Sequence, residues 1–251
     1  TVHAAGSAGV IDPRRLRFVS RAFARDEYGP ALLKGDRLSE EERAHITERL
    51  AYFTGLDPKY IDTSDFRILV PRFQKELLRD KGVALGRLDG RYAGDEADDI
   101  AEAPEDDAAS YFVSSTFTAL FNQYASTDLG VKMDRPYMVS SKDAGEQWNF
   151  RDVPEGEYWE PHYLNVGRQL TTAMRHNTAL KVMVASGYYD LICPFFDAEI
   201  TFGRYGIPQD RVAMTYYEGG HMMYLNEGAR QALMSDIRSF YAGQLQDKRP
   251  D

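Results

Sequence analysis

Two stretches decide the reading of the chain. The first is Leu180-Lys181-Val182-Met183-Val184-Ala185-Ser186-Gly187-Tyr188-Tyr189-Asp190. The second is Arg211-Val212-Ala213-Met214-Thr215-Tyr216-Tyr217-Glu218-Gly219-Gly220-His221. Each opens with a compact β-forming run and ends in glycine and a polar residue. Residues 194–205 suit a helix between them, stopped by Gly206 and Pro208. Leu164, Leu170, Ala173 and Met174 suit a helix before the pair, and Ala229, Ala232, Leu233, Ile237 and Phe240 an amphipathic helix after it. Helix–strand–helix–strand–helix predicts an α/β fold with parallel strands joined by a right-handed crossover. In such a sheet, chemistry sits at the carboxyl ends of the strands. Asp190 and His221 stand at two successive ends, where a carboxylate can hold an imidazole in one tautomer and stabilise its protonated form. The glycines allow close approach of backbone. The plainer readings are an aspartate capping the next helix and a histidine in a turn.

Upstream, the pattern is helical. Asp12-Pro13 is a cap followed by proline at the first helical position, and Leu16, Val19 and Phe23 recur behind it. Ser39 with Glu42 forms a capping-box pattern ahead of Ile46, Leu50 and Phe53, closed by Gly55. A third helix is expected over 71–81, with Phe73, Leu77 and Leu78 inward and Gly82 as the stop. The acidic run 94–107 reads as a solvated loop, since its spacing matches no calcium loop. Residues 111–128 read as an aromatic-rich helix. Residues 129–160 read as loop, anchored by buried Trp148-Asn149-Phe150 and Tyr158-Trp159. The tail after Gly243 is expected to fray. Three segments result: a mainly helical part over 1–128, a connector over 129–160 and an α/β part over 161–251.

Composition narrows the classes. The 251 residues are 43% hydrophobic, enough for a real core. A net charge of −9 argues against nucleic-acid binding, which needs a clustered basic face. No apolar run reaches the roughly 18 residues of a membrane span. The start at Thr1, without Met or a basic-plus-apolar leader, is expected to be a cut within a longer protein or a processed end. A single cysteine, Cys193, excludes an internal disulfide. No His-x3-His or Cys–His spacing points to zinc, so no metal is expected. His45 reads as a surface residue of a helix, and His162 and His176 flank another, His176 near its negative end.

Residues 184–191, Val-Ala-Ser-Gly-Tyr-Tyr-Asp-Leu, and 216–224, Tyr-Tyr-Glu-Gly-Gly-His-Met-Met-Tyr, resemble the two C-terminal signatures of serine carboxypeptidases, in particular the bacterial branch. Weaker matches to its helical cap lie at 31–36 (Ala-Leu-Leu-Lys-Gly-Asp) and 86–91 (Gly-Arg-Leu-Asp-Gly-Arg). The resemblance implies the C-terminal part of an α/β-hydrolase sheet preceded by a helical cap, and cleavage of single residues from peptide C-termini without a cofactor. It places Asp190 and His221 on the catalytic Asp and His, and Cys193 and Met222 at the substrate pocket. It also implies a secreted or periplasmic setting.

The family's nucleophile lies on a Gly-x-Ser-x-Gly elbow, where the serine is exposed on a sharp strand-to-helix turn. The chain has no such motif. Ser7 follows no β run, Ser186 lies on a strand just before Asp190, and Ser114, Ser115, Ser140 and Ser141 lack flanking glycines. Cys193 is too near Asp190 in sequence to stand in for the elbow serine. The expectation is therefore a C-terminal portion whose partner is a missing N-terminal half carrying the serine. Other readings are an esterase or acyltransferase on the same triad, or a non-catalytic binding or scaffold fragment.

Overall fold

The computed structural model describes residues 13–135, 137–148 and 165–249. Asp12, His162, Asn149, Phe150, Tyr158 and Trp159 lie outside them. Among the described residues helix outweighs strand, 54% to 8%, and the strands form two small sheets. Two compact units result. One comprises the described residues up to Ser110 together with 185–196 and from Met214 onward; the other comprises those within 111–184 and 197–213. Both interleave sequence that a contiguous division at 128 and 160 keeps apart.

In the first unit, α1 (Pro13–Phe23), α2 (Gly29–Lys34), α3 (Glu40–Thr54), α4 (Pro58–Thr63) and α5 (Val70–Glu76) follow one another. Ser39 and Glu42 close the capping box of α3, and Gly55, at φ +81°, ends it in the left-handed conformation. Asp57 accepts the Lys59 and Tyr60 N–H groups at the start of α4. Phe23, Ile46, Leu50, Leu56, Ile61 and Phe66 make the buried core of these helices.

The third predicted helix ends early. α5 stops at Glu76, Leu78 leaves helical backbone values, and residues 79–81 tighten into a 3-10 turn before Gly82. Leu78 is buried, so core packing overrides helix propensity here. A hairpin follows where none was predicted. β1 (Val83–Leu85) pairs antiparallel with β2 (Ala93–Asp95), in the register Val83 to Asp95 and Leu85 to Ala93. Strands this short carry too few residues to show an alternating pattern.

The acidic run is not a freely solvated loop. Lys75 donates to Glu96 at 2.8 Å and to the Asp98 carbonyl at 2.8 Å, with both charged side chains buried. Arg79 holds the Asp99 carbonyl, and Arg72 pairs with Glu102. Three cations from α5 and the turn after it fold the segment down, which a count of negative charges could not reveal. The tail is also fixed. Lys248 N–H donates to the Met214 carbonyl at 2.9 Å, Met214 N–H to Asp247 at 3.0 Å, and Lys248 Nζ to Asp236.

The other unit contains α6 (Ser110–Thr127, from Tyr111 on), α7 (Lys142–Gln147) and α8 (Gly167–His176). The connector is thus not all loop: the Ser141 side chain caps α7 by accepting Ala144 N–H. Trp148 is exposed, contrary to its expected role as a buried anchor. α8 is fixed by Thr171, which donates to the Tyr205 carbonyl at 2.8 Å. The strands β3 (Val182–Gly187) and β4 (Val212–Tyr217) pair with each other, with α9 (Phe195–Arg204) between them in sequence and α10 (Glu227–Tyr241) after them. Beyond the strand ends, Tyr188 N–H donates to the Tyr217 carbonyl and Tyr189 N–H to that of Gly219. Partner numbers rise together, as they do between parallel strands.

Candidate active site

Asp190 and His221 leave the ends of the neighbouring strands β3 and β4 and meet. His221 Nδ1 lies 2.9 Å from Asp190 Oδ2. Asp190 is buried, whereas the His221 side chain keeps 40% of its exposure. The other carboxylate oxygen, Oδ1, accepts the Ile192 and Cys193 N–H groups at 2.8 and 2.9 Å. The aspartate therefore caps the following turn with one oxygen and engages the imidazole with the other. Oδ1 thus caps the bend ahead of α9 rather than the helix itself, which begins at Phe195. With Nδ1 held by the carboxylate, Nε2 is the nitrogen left for proton transfer.

Glycines permit this convergence. A Cβ on Gly187 would lie 2.2 Å from the Gly220 carbonyl oxygen, and one on Gly220 would lie 2.2 Å from that of Leu88. Both distances are far inside contact, so no other residue fits without moving backbone.

The loop of the β1–β2 hairpin is the third wall of the site. Leu191 N–H donates to the Arg87 carbonyl at 2.9 Å, and His221 N–H to the Leu88 carbonyl at 2.6 Å. Gly90 N–H donates to the Tyr189 carbonyl at 2.8 Å. The motif Gly86-Arg87-Leu88-Asp89-Gly90-Arg91 thus grips both the Asp190 and the His221 loops. Arg91 is held by Asp89 through two hydrogen bonds and lies over the Tyr189 ring, 4.4 Å from its centroid. Burial and a 2.7 Å bond to Glu218 push the Tyr189 phenol up to about 12.

β4 is tied down from behind. Tyr217, buried, donates to Asp236 of α10 at 2.8 Å, and Lys248 neutralises that carboxylate. Burial raises the Tyr217 phenol well above its ordinary range. At the other end, the Arg17 guanidinium of α1 sits over the Tyr216 ring, 4.3 Å from its centroid, and donates to the Tyr188 hydroxyl at 3.2 Å.

No family model matches the chain, and comparison with curated proteins and solved structures gives no match.

The remaining predicted residues fall beside the pair. Cys193 is exposed. Donor atoms of Asp190, Cys193 and His221 gather within 4.8 Å of one another. The thiol therefore borders the pair although no metal-binding spacing announced such a cluster. Met222 follows His221 directly and is half-buried at the entry to a short 3-10 turn (Met223–Leu225). Ser186 is buried in β3. His45 binds Glu27 on the surface, and His176 is exposed at the end of α8. The sequence reading missed the role of the 86–91 loop and of Asp107 beneath it. The Asp-Gly pair inside that loop was the available signal for a turn; nothing marked Asp107 apart from its acidic neighbours.

Proposed function

We propose that the chain is the C-terminal part of a serine carboxypeptidase-like hydrolase on an α/β-hydrolase sheet, with its nucleophilic serine supplied from outside the 251 residues. The observation that supports this is the buried, doubly capped Asp190 placed 2.9 Å from Nδ1 of an accessible His221. In the proposed reaction the serine hydroxyl gives its proton to His221 Nε2 as its oxygen attacks the scissile carbonyl. His221 then returns the proton to the departing amine. Water repeats the cycle on the acyl-enzyme and releases the shortened peptide as a carboxylate. Asp190 holds the tautomer and offsets the positive charge on the ring. Cys193 and Met222 border the leaving residue, and the helices α1–α4 restrict access to chain ends. No cofactor takes part in this scheme.

The test is labelling of a full-length protein containing these residues with a fluorophosphonate. One serine outside them should be labelled stoichiometrically, and His221→Ala and Asp190→Ala should each abolish or severely slow labelling. The same protein should release single residues from peptide C-termini, read as a mass ladder. A labelled serine within the 251 residues, or no labelled serine at all, would sink the reading.

A further inference from the structure

The geometry points to Asp107 as the positioning residue of the Asp190–His221 pair, acting through the peptide groups of Arg87 and Leu88. Asp107 Oδ2 accepts the Arg87 N–H at 3.0 Å and the Leu88 N–H at 3.1 Å. The carbonyls of those same two residues accept the Leu191 N–H, next to Asp190, at 2.9 Å and the His221 N–H at 2.6 Å. One carboxylate therefore anchors two consecutive residues through their N–H groups, and the carbonyl of each of those residues grips one arm of the pair. The Arg87 carbonyl shares a peptide unit with the anchored Leu88 N–H, and the Leu88 carbonyl begins the next unit. Its second oxygen accepts the Ala109 N–H at 2.8 Å, which fixes the carboxylate's own orientation.

Three features separate this from an incidental surface contact. The Asp107 side chain keeps 7% of its exposure, so its bonds form with little competition from water. Bonds from N–H groups to a carboxylate are the stronger kind, and the one at the Leu88 N–H polarises the peptide unit whose carbonyl, that of Arg87, accepts the Leu191 N–H. The ground beneath the loop is also rigid. Ala108 and Ala109 are buried, and a Cβ on Gly86 would come within 2.9 Å of the Ala109 nitrogen. Arg87 Nε reaches the same carboxylate at 3.4 Å from an exposed side chain and adds little. A spacing fixed to a few tenths of an ångström between an acid and an imidazole is the quantity such a support controls.

The catalytic consequence rests on the hydrolase reading, but the support itself does not. The test is Asp107→Ala in the whole chain, with Asp57→Ala as the matched control. Asp57 likewise accepts two backbone N–H groups in the same unit, at the start of α4, and touches nothing at the site. Amide hydrogen exchange at Leu191 and His221 should accelerate about tenfold or more in Asp107→Ala. The Nδ1–H resonance of His221 should shift or broaden, while the Ile46 and Leu50 amides of α3 exchange as before. Asp57→Ala should leave the site amides and the ring proton unchanged relative to the core. If Asp107→Ala does not fold, Asp107→Asn, which retains one accepting oxygen, carries the same comparison at smaller amplitude. Site amides that stay within about twofold of the parent, or an Asp57→Ala that reproduces the effect, overturn the proposal. No reading here requires turnover. A loosened pair in a protein that never shows hydrolysis would support the relay and count against the hydrolase assignment alone.

Discussion

The strand-end site and the α6 helix are built on opposite principles. Around Asp190 and His221 three chain segments approach until only glycine fits between them, and backbone groups bind one another directly. α6 has no buried residue along its length, and Phe117, Leu120, Phe121 and Tyr124 are exposed at spacings that share one helical face. Phe121 and Tyr137 make a local aromatic contact, with ring centroids 4.7 Å apart. The site is specified by geometry that admits few substitutions. The exposed positions of α6 admit many residues. Substitutions in the two regions should therefore differ in size, and in places in sign.

The largest effect is expected where the acidic segment meets α5. Lys75→Met should destabilise the protein by about 3–5 kcal/mol, because it leaves the buried Glu96 carboxylate without its cation. The double variant Lys75→Met/Glu96→Leu should recover most of that loss in urea unfolding. A single variant within about 0.5 kcal/mol of the parent would show that the acidic segment is solvated after all. Gly220→Ala comes next, at about 3 kcal/mol, since its Cβ would strike the Leu88 carbonyl, a backbone atom that no rotamer change moves. It should also free the His221 amide for exchange.

These two positions show what was legible in the sequence and what was not. Strand ends carrying Asp190 and Gly-Gly-His221 could be recognised because β-forming runs and glycine are local signals. The Ser39–Glu42 box was readable for the same reason. Glu96 and Asp107 looked like any other members of an acidic run, because what distinguishes them is burial against Lys75 and against the 87–88 peptides, partners brought in by tertiary folding. The hairpin was hidden by the brevity of its strands, and the ordered tail by the fact that Asp247 and Lys248 acquire meaning only next to Met214 and Asp236.

A smaller effect, confined to alkaline solution, belongs to Tyr189. Its phenol ionises near pH 10 in an unfolded chain and is pushed up to about 12 in the fold by burial and the bond to Glu218. Folding thus favours the neutral phenol. The associated stability is fully present below about pH 10 and is lost as pH rises from there through about 12. Tyr189→Phe should flatten the fall of unfolding free energy in that window and leave neutral-pH behaviour nearly unchanged. An unchanged alkaline slope would mean that the raised phenols near the site do not include Tyr189, leaving Tyr217 to account for it. In the other region, Gly145→Ala on α7 should stabilise by about 0.5–1 kcal/mol, because nothing lies within 4 Å of the added methyl. The same change of residue thus costs stability at Gly220 and adds it at Gly145.

The smallest effect on stability is expected on α6, where it would be the most informative about association. Phe117→Gln/Leu120→Gln removes two exposed apolar side chains one turn apart. Since neither is buried, unfolding free energy should change by less than about 0.5 kcal/mol. The free chain should nevertheless behave differently. A contiguous apolar face of this kind promotes association, so the parent should self-associate in sedimentation velocity and the double variant should shift toward a single slower species. The Gly220→Ala chain, altered at the other pole of the comparison, should associate no less than the parent. If Phe117→Gln/Leu120→Gln instead destabilises by more than about 2 kcal/mol with no change in association, the face is covered within the folded chain. The contrast between a close-packed site and an open helix would then fail at its weaker end.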